Sequence, residues 1–278
     1  MSKSAPDTDN QPRTASLAFG PYELVRELRA SGDIERHLAL HPELLTHHVA
    51  YRFRFGSTKA ERRRFLEAVE KAAALDIPHT LRVEQFSLAT PTEAWVISPY
   101  TGNHDGLMLL SDLLAVKGGQ MEPLELTRVL SQLLEAVAGA HDAGVVHGPV
   151  SMDEIHVDRR GSLDIELYGV KAAISDQSDP DELAREEIRS IVALAYHLLT
   201  GVVADEVYIE PTKLVAKLDT QWDTFFSEGL DPVGGFTTAA EVLDAVPGRR
   251  AATPAPEIKT RNVTAFGFGR KKKTQQAD

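Results

Sequence analysis

A chain of 278 residues is long enough for about two domains or one two-lobed unit. Its 41 acidic and 30 basic side chains leave a net charge of −11, which excludes the basic face that a generic DNA or RNA binder needs. With 42% hydrophobic and 26% charged residues it can bury a sizeable core, and the absence of cysteine excludes disulfides, thiolate zinc sites and a cysteine nucleophile.

No apolar run approaches the roughly 18 residues of a spanning helix, and residues 1–14 are polar throughout. A soluble, cytoplasmic protein is expected. Residues 1–18 are rich in Ser, Pro, Asp and Asn, and so predict a flexible leader. Short strand patterns follow at 19–28 and 36–40, and residues 48–55 alternate apolar and basic side chains as a half-exposed strand does. Residues 58–75 predict a helix capped by Thr58 and Glu61, with Phe65, Leu66, Val69 and Ala72 on one face. Residues 82–87 and 94–98 read as two more strands.

The second half is mostly helical. Leu126, Val129, Leu130, Leu133, Leu134, Val137 and Ala140 set a helix over 122–143. Ile188, Ile191, Val192, Ala195, Leu198 and Leu199 set another over 181–199, with Gly201 just past its end. Between them lie two short strands, 155–158 and 162–167, joined by Arg159-Arg160-Gly161. From Pro247 the chain turns to Pro, Ala, Gly and Lys, predicting a basic tail that carries Arg270, Lys271, Lys272 and Lys273. That cluster is suited to weak contact with acidic lipids or a partner.

Several segments carry a resemblance. His141-Asp142-Ala143-Gly144-Val145-Val146-His147-Gly148-Pro149-Val150-Ser151-Met152-Asp153-Glu154-Ile155-His156-Val157-Asp158 resembles the H-x-x-G-I-I-H-R-D-L-K-P-x-N-L-L-I-D text of protein kinases. Leu167-Tyr168-Gly169 falls at the D-F-G position, and Glu187-Ile188-Arg189-Ser190-Ile191 with Leu198-Leu199-Thr200-Gly201 resembles the core-helix text. Upstream, Tyr22-Glu23-Leu24-Val25-Arg26-Glu27-Leu28 resembles the opening strand of bacterial Ser/Thr kinases. Val49-Ala50-Tyr51-Arg52 looks like V-A-I-K, and Leu75-Asp76-Ile77-Pro78-His79 like L-x-H-P-N. The resemblance implies an α+β, bilobal protein kinase-like fold, with a strand-rich N-lobe at 19–102, a mainly helical C-lobe at 103–246 and a flexible tail at 247–278.

Carried over residue by residue, it implies a degenerate site. The glycine-loop positions fall on Arg29, Ser31 and Ile34, with Gly32 nearby. The strand lysine is Arg52, and its helix partner falls on Ala68, with Glu67 and Glu70 adjacent. The catalytic aspartate position is Pro149, the phosphate-contacting lysine Ser151, the magnesium asparagine Glu154 and the D-F-G aspartate Leu167. The valine and leucine that would enclose the purine are Arg36 and His156, while Ala50, Ile97, Ser98 and Tyr100 keep cleft and hinge-like positions. His147 and Tyr168 hold the central positions of the packing spine. Leu167 and Glu187 are only twenty positions apart, a short activation segment without A-P-E, and Gly235 stands at the arginine that would pair with that glutamate.

Other clusters are weighed against plain structural roles. Glu154, Asp158, Asp164 and Glu166 crowd the small hairpin; Asp164 and Glu166 share a strand face opposite Leu167, so they are expected to be solvated and to point away from the cleft. No metal site is expected there, nor at His47-His48, which lack a third ligand. Arg52, Arg54, Lys59, Arg62, Arg63 and Arg64 stand out in an acidic chain, and Arg62, Arg63 and Arg64 form a candidate anion site.

The reading is a catalytically inactive kinase-like protein, a pseudokinase, that binds protein partners such as an active kinase or its substrates in Ser/Thr signalling. No cofactor is expected, with weak ATP and magnesium binding left open. Two alternatives remain: a divergent nucleotide-dependent transferase in which Arg52 and Glu154 stand in for the absent groups, and a phosphopeptide or anion binding module on the helix of Arg62, Arg63 and Arg64.

Overall fold

A computed structural model describes residues 18–249 apart from 33, 57, 103–105, 107, 175–178 and 205–207. Strands β1 (Ala18–Phe19), β2 (Tyr22–Ser31), β3 (Ile34–His41), β4 (Thr46–Arg54), β5 (Gln85–Thr90) and β6 (Glu93–Pro99) form one antiparallel sheet ordered β1-β2-β3-β4-β6-β5. Helix α1 (Lys59–Ala74) lies on one face of it. The later part holds α2 (Leu110–Val116), α3 (Pro123–Asp142), the hairpin β7 (Ile155–Val157) and β8 (Leu163–Ile165), then α4 (Val170–Ile174), α5 (Pro180–Thr200), α6 (Pro211–Leu214), α7 (Gln221–Gly229) and α8 (Ala239–Ala245). This is a bilobal α+β architecture of the kinase-like kind. Among the described residues, no helix is long and apolar enough to cross a membrane.

Local chemistry explains the main elements. Thr58 accepts from Glu61 N at 3.2 Å and Glu61 Oε2 accepts from Thr58 N at 3.3 Å, closing the capping box that starts α1. Phe65, Val69 and Ala72 of α1 then bury against Val49, Tyr51 and Phe53 of β4. Each large side chain so buried contributes about 1.5–3 kcal/mol. Pro at the first position starts α3 and α5, and Gly201 ends α5 with φ 73°, a left-handed cap that glycine adopts without a Cβ clash. The predicted apolar faces of both helices form the C-lobe core with Trp222, Phe225 and Phe226 of α7.

The strand boundaries differ from expectation by one to three residues, and two of the shifts have a visible cause. Residues 82–84 lie outside β5, because Leu81 N donates to Ile165 O at 2.8 Å and Leu81 and Val83 turn into the core. The second hairpin strand stops at Ile165 rather than 167, since Leu167 has φ 47° and reverses the chain. β1, α2, α4, α6, α7 and α8 are too short for a sequence period to mark. Residues 247–249 of the expected tail are held to the C-lobe, Pro247 O accepting from Thr127 Oγ1 at 2.9 Å and Leu243 O from Arg249 at 3.2 Å. The rest of that tail, with Arg270 to Lys273, and leader residues 1–17 lie outside the described residues.

Candidate functional site

The cleft between the lobes is roofed by one face of the sheet, and the alternation of each strand decides which side chains reach it. Arg36 pairs with Tyr51 and Leu38 with Val49 across β3 and β4, while Val96 and Ser98 of β6 lie opposite Tyr51 and Val49. These residues share the face of α1. Ala50, Arg52 and Ile97 therefore lie on the opposite face, which corrects their expected place in the cleft. The physical reason is the period of two: a one-residue slip in aligning a strand sends every side chain to the other face. With Tyr51 instead of Arg52 at its lysine position, the V-A-I-K text turns Val49 and Tyr51 to the cleft.

Arg52 is engaged outside. It pairs with Glu93 at 2.8 Å and Glu35 at 3.3 Å, and its guanidinium stands 5.6 Å from the Trp95 ring centroid. Neither Glu67, which faces Arg63 at 3.5 Å, nor the exposed Glu70 is its partner.

Inside the cleft, Arg36, Glu166 and His156 form one buried network. Arg36 Nη2 donates to Glu166 Oε1, His156 Nε2 lies 2.9 Å from Glu166 Oε2, and the three residues are at most 1% exposed. Arg36 also donates to the carbonyls of Arg29, at 3.0 Å, and Asp153. Thr101 Oγ1 lies 3.3 Å from His156 Nδ1. Burial pushes the Glu166 carboxyl up, but His156 and then Arg36 outweigh it and hold the group below the ordinary carboxylate value. This overturns the expectation that Glu166 is solvated and points away. Asp164 lies opposite His156 across the hairpin, so the face shared by the two carboxylates is the cleft face.

A second ionic contact lies nearer the glycine-loop position. Lys171, on α4, donates to Glu154 Oε1 and approaches Ser31 Oγ at 3.4 Å. Glu154 Oε2 accepts from Ser151 N at 2.9 Å and lies 3.8 Å from His147 Nε2. Burial alone would raise the Glu154 carboxyl, yet His147 and Lys171 hold it down at about 2. Pro149 is exposed at a bend and offers no polar side chain, while Ser151 caps the 3-10 turn Met152–Glu154 by accepting from Asp153 N. Leu167 is 2% exposed and belongs to the N-lobe core with Val170.

The loop carrying these residues is fixed from below. Glu187 Oε2 accepts from His147 N at 2.8 Å and Gly148 N at 3.1 Å, and its Oε1 accepts from the Tyr168 hydroxyl. His147 and Tyr168 pack with rings tilted by 45° and centroids 5.0 Å apart, and His147 Nδ1 accepts from Gly169 N at 3.1 Å. Gly169 has φ 75°, and a Cβ there would meet Val145 at 2.5 Å, so the close approach needs glycine.

At the cleft mouth Arg29 crosses from β2 to the C-lobe, reaching Ser111 Oγ and Asp112 Oδ1 at 2.9 Å and Asp153 Oδ1 at 3.3 Å. The cavity left there, between β2 and α2, measures about 210 Å³, below the ~300–1,000 Å³ usual for small-molecule sites. Ser98 is fully buried and Tyr100 half-buried beside His47. Arg62, Arg63 and Arg64 occupy consecutive helical positions, which point about 100° apart, so α1 does not gather their guanidinia. Among the described residues, no group of three or more His, Asp or Glu is placed to hold a metal ion.

No protein-family model matches the chain. It is similar to CBL-interacting protein kinase 1 of Oryza sativa subsp. japonica, 32% identical over 95 residues, which cover 34% of this chain and 19% of that protein. It is also similar to serine/threonine-protein kinase PrkC of Bacillus subtilis, 24% identical over 160 residues (56% and 24%), and to probable serine/threonine-protein kinase PknB of Corynebacterium glutamicum, 25% identical over 178 residues (55% and 27%). The matches thus span 19 to 27% of these relatives' lengths. Together with the two-lobed fold they support a protein kinase-like chain.

Sequence reasoning missed Lys171, Asp153, Ser111 and Asp112, and misplaced Glu166. For Glu166 a signal existed: it directly precedes Leu167-Tyr168-Gly169, so its place near the cleft follows from the motif and not from strand alternation. The others come from α2, the Met152–Glu154 turn and α4, and carry no shared pattern.

Proposed function

We propose that this chain is a catalytically inactive kinase-like domain, a protein-binding scaffold in Ser/Thr kinase-type signalling whose nucleotide cleft is filled by its own side chains. The observation that carries the reading is the buried Arg36–Glu166–His156 network. Arg36 and His156 stand at the positions that would enclose a purine, and the Glu166 carboxylate bridges them. An adenine entering there would have to expel a desolvated ion pair.

The residues around the phosphate and metal positions support the same reading. Lys171 brings an ammonium onto Glu154, the carboxylate left where a magnesium ligand would be, and Leu167 supplies no oxygen. Pro149 cannot orient a nucleophile. The residues present do not fit magnesium-ATP, and the absence of both aspartates corresponds to many powers of ten in phosphoryl-transfer rate.

The test is the melting temperature of the purified chain with and without millimolar ATP, in magnesium and then in EDTA. A ligand at 100 times its dissociation constant stabilises by about 2.7 kcal/mol, which is several degrees. No shift is expected in either condition. A magnesium-dependent shift accompanied by autophosphorylation would overturn the reading in favour of a nucleotide-dependent transferase.

A further inference from the structure

Helix α5 carries Glu182, Arg185, Glu186 and Arg189 at i, i+3, i+4 and i+7, so they lie on one helical face. Among the described residues, none of the four side chains makes an ion pair or hydrogen bond. All four line one cavity of about 490 Å³, whose wall also includes Val233. Val233 is 95% exposed. The two further carboxylates in the cavity are already used by their own backbone: Asp179 accepts from Asp181 N at 3.1 Å and Asp231 from Val233 N at 2.9 Å.

The order of charges along this face is acid, base, acid, base. Read in the opposite direction it is base, acid, base, acid. A second copy lying antiparallel, with a two-fold axis between positions 185 and 186, therefore sets Glu182 against Arg189 and Arg185 against Glu186, each pair occurring twice. Self-complementarity under a two-fold axis is what an isologous interface requires. We propose that this face of α5, together with the exposed Val233 corner, is the surface through which two copies of the chain dimerise. This does not depend on the state of the nucleotide cleft.

Sedimentation equilibrium of the full chain over a wide concentration range tests it. A dimer is expected that weakens as salt rises, because its pairs form between charges that are solvent-accessible in the single chain. Replacing both Arg185→Glu and Arg189→Glu sets acid against acid and should weaken association about a hundredfold or more. Adding Glu182→Arg and Glu186→Arg should restore self-association, while the fully reversed chain should not pair with the wild type. Val233→Asp, at a position too exposed to affect folding, should also weaken the dimer. A chain that stays monomeric throughout, a dimer indifferent to the double reversal, or a fully reversed chain that fails to associate would overturn the proposal.

Discussion

Arg36 on β3 and Glu166 at the end of β8 form a buried ion pair that joins the N-lobe sheet to the C-lobe hairpin across the cleft. Desolvating both charges is costly, and the remaining bonds to His156 and to the Arg29 and Asp153 carbonyls are what offset it.

Glu166→Ala should lower stability by about 3–5 kcal/mol, because it leaves the Arg36 charge buried and uncompensated. Replacing Arg36, Glu166 and His156 together by Met, Leu and Leu should recover most of that loss. Urea titrations compare the two. A cost below about 1 kcal/mol for the single change would mean that the pair is not buried as described.

Glu154 gives a pH dependence with a defined sign. Its carboxyl is held at about 2 against an ordinary 4.5, so its contribution is fully present above 4.5 and is lost as pH falls toward 2. The shift corresponds to about 3 kcal/mol at neutral pH. Glu154→Gln should be less stable than the wild type by up to about that amount at pH 7, with the gap closing as pH drops below about 4.5. A gap unchanged between pH 7 and pH 3 would count against the Lys171 and His147 contacts.

Glu187 anchors the loop beneath the cleft. Glu187→Ala strands two backbone N–H groups and the Tyr168 hydroxyl without an acceptor, and should cost about 3 kcal/mol or more. Hydrogen exchange at His147 and Gly148 should accelerate well beyond the global loss of stability. Exchange that tracks only global unfolding would show that the loop is held by other contacts.

Arg52 and Arg36 should behave differently despite both being arginines on adjacent strands. Arg52→Ala removes partly buried pairs with Glu35 and Glu93 and a contact over Trp95, worth about 1 kcal/mol. Urea titration checks this against Arg36→Ala, which removes a buried partner of Glu166 and should cost several times more. Equal costs would place Arg52 in the cleft network after all.

The sequence by itself determined the parts that repeat along the chain. The apolar periods of α1, α3 and α5, the Thr58 and Glu61 capping box, the Gly201 terminus and the order of strands before helices are local signals, and ordered motif resemblance was enough to imply two lobes. Which face each strand turns to the cleft was a different matter. A period of two is blind to an alignment slip of one residue, so the motif resemblance put Arg36 inward but set Ala50, Arg52 and Ile97 on the wrong side, and only the pairing of β3, β4 and β6 turns Tyr51 to the cleft. The cleft network was likewise a tertiary outcome. Arg36, Glu154, Glu166 and Lys171 come from four separate segments, and a charge in sequence looks solvated until the fold removes its water and supplies an opposite charge.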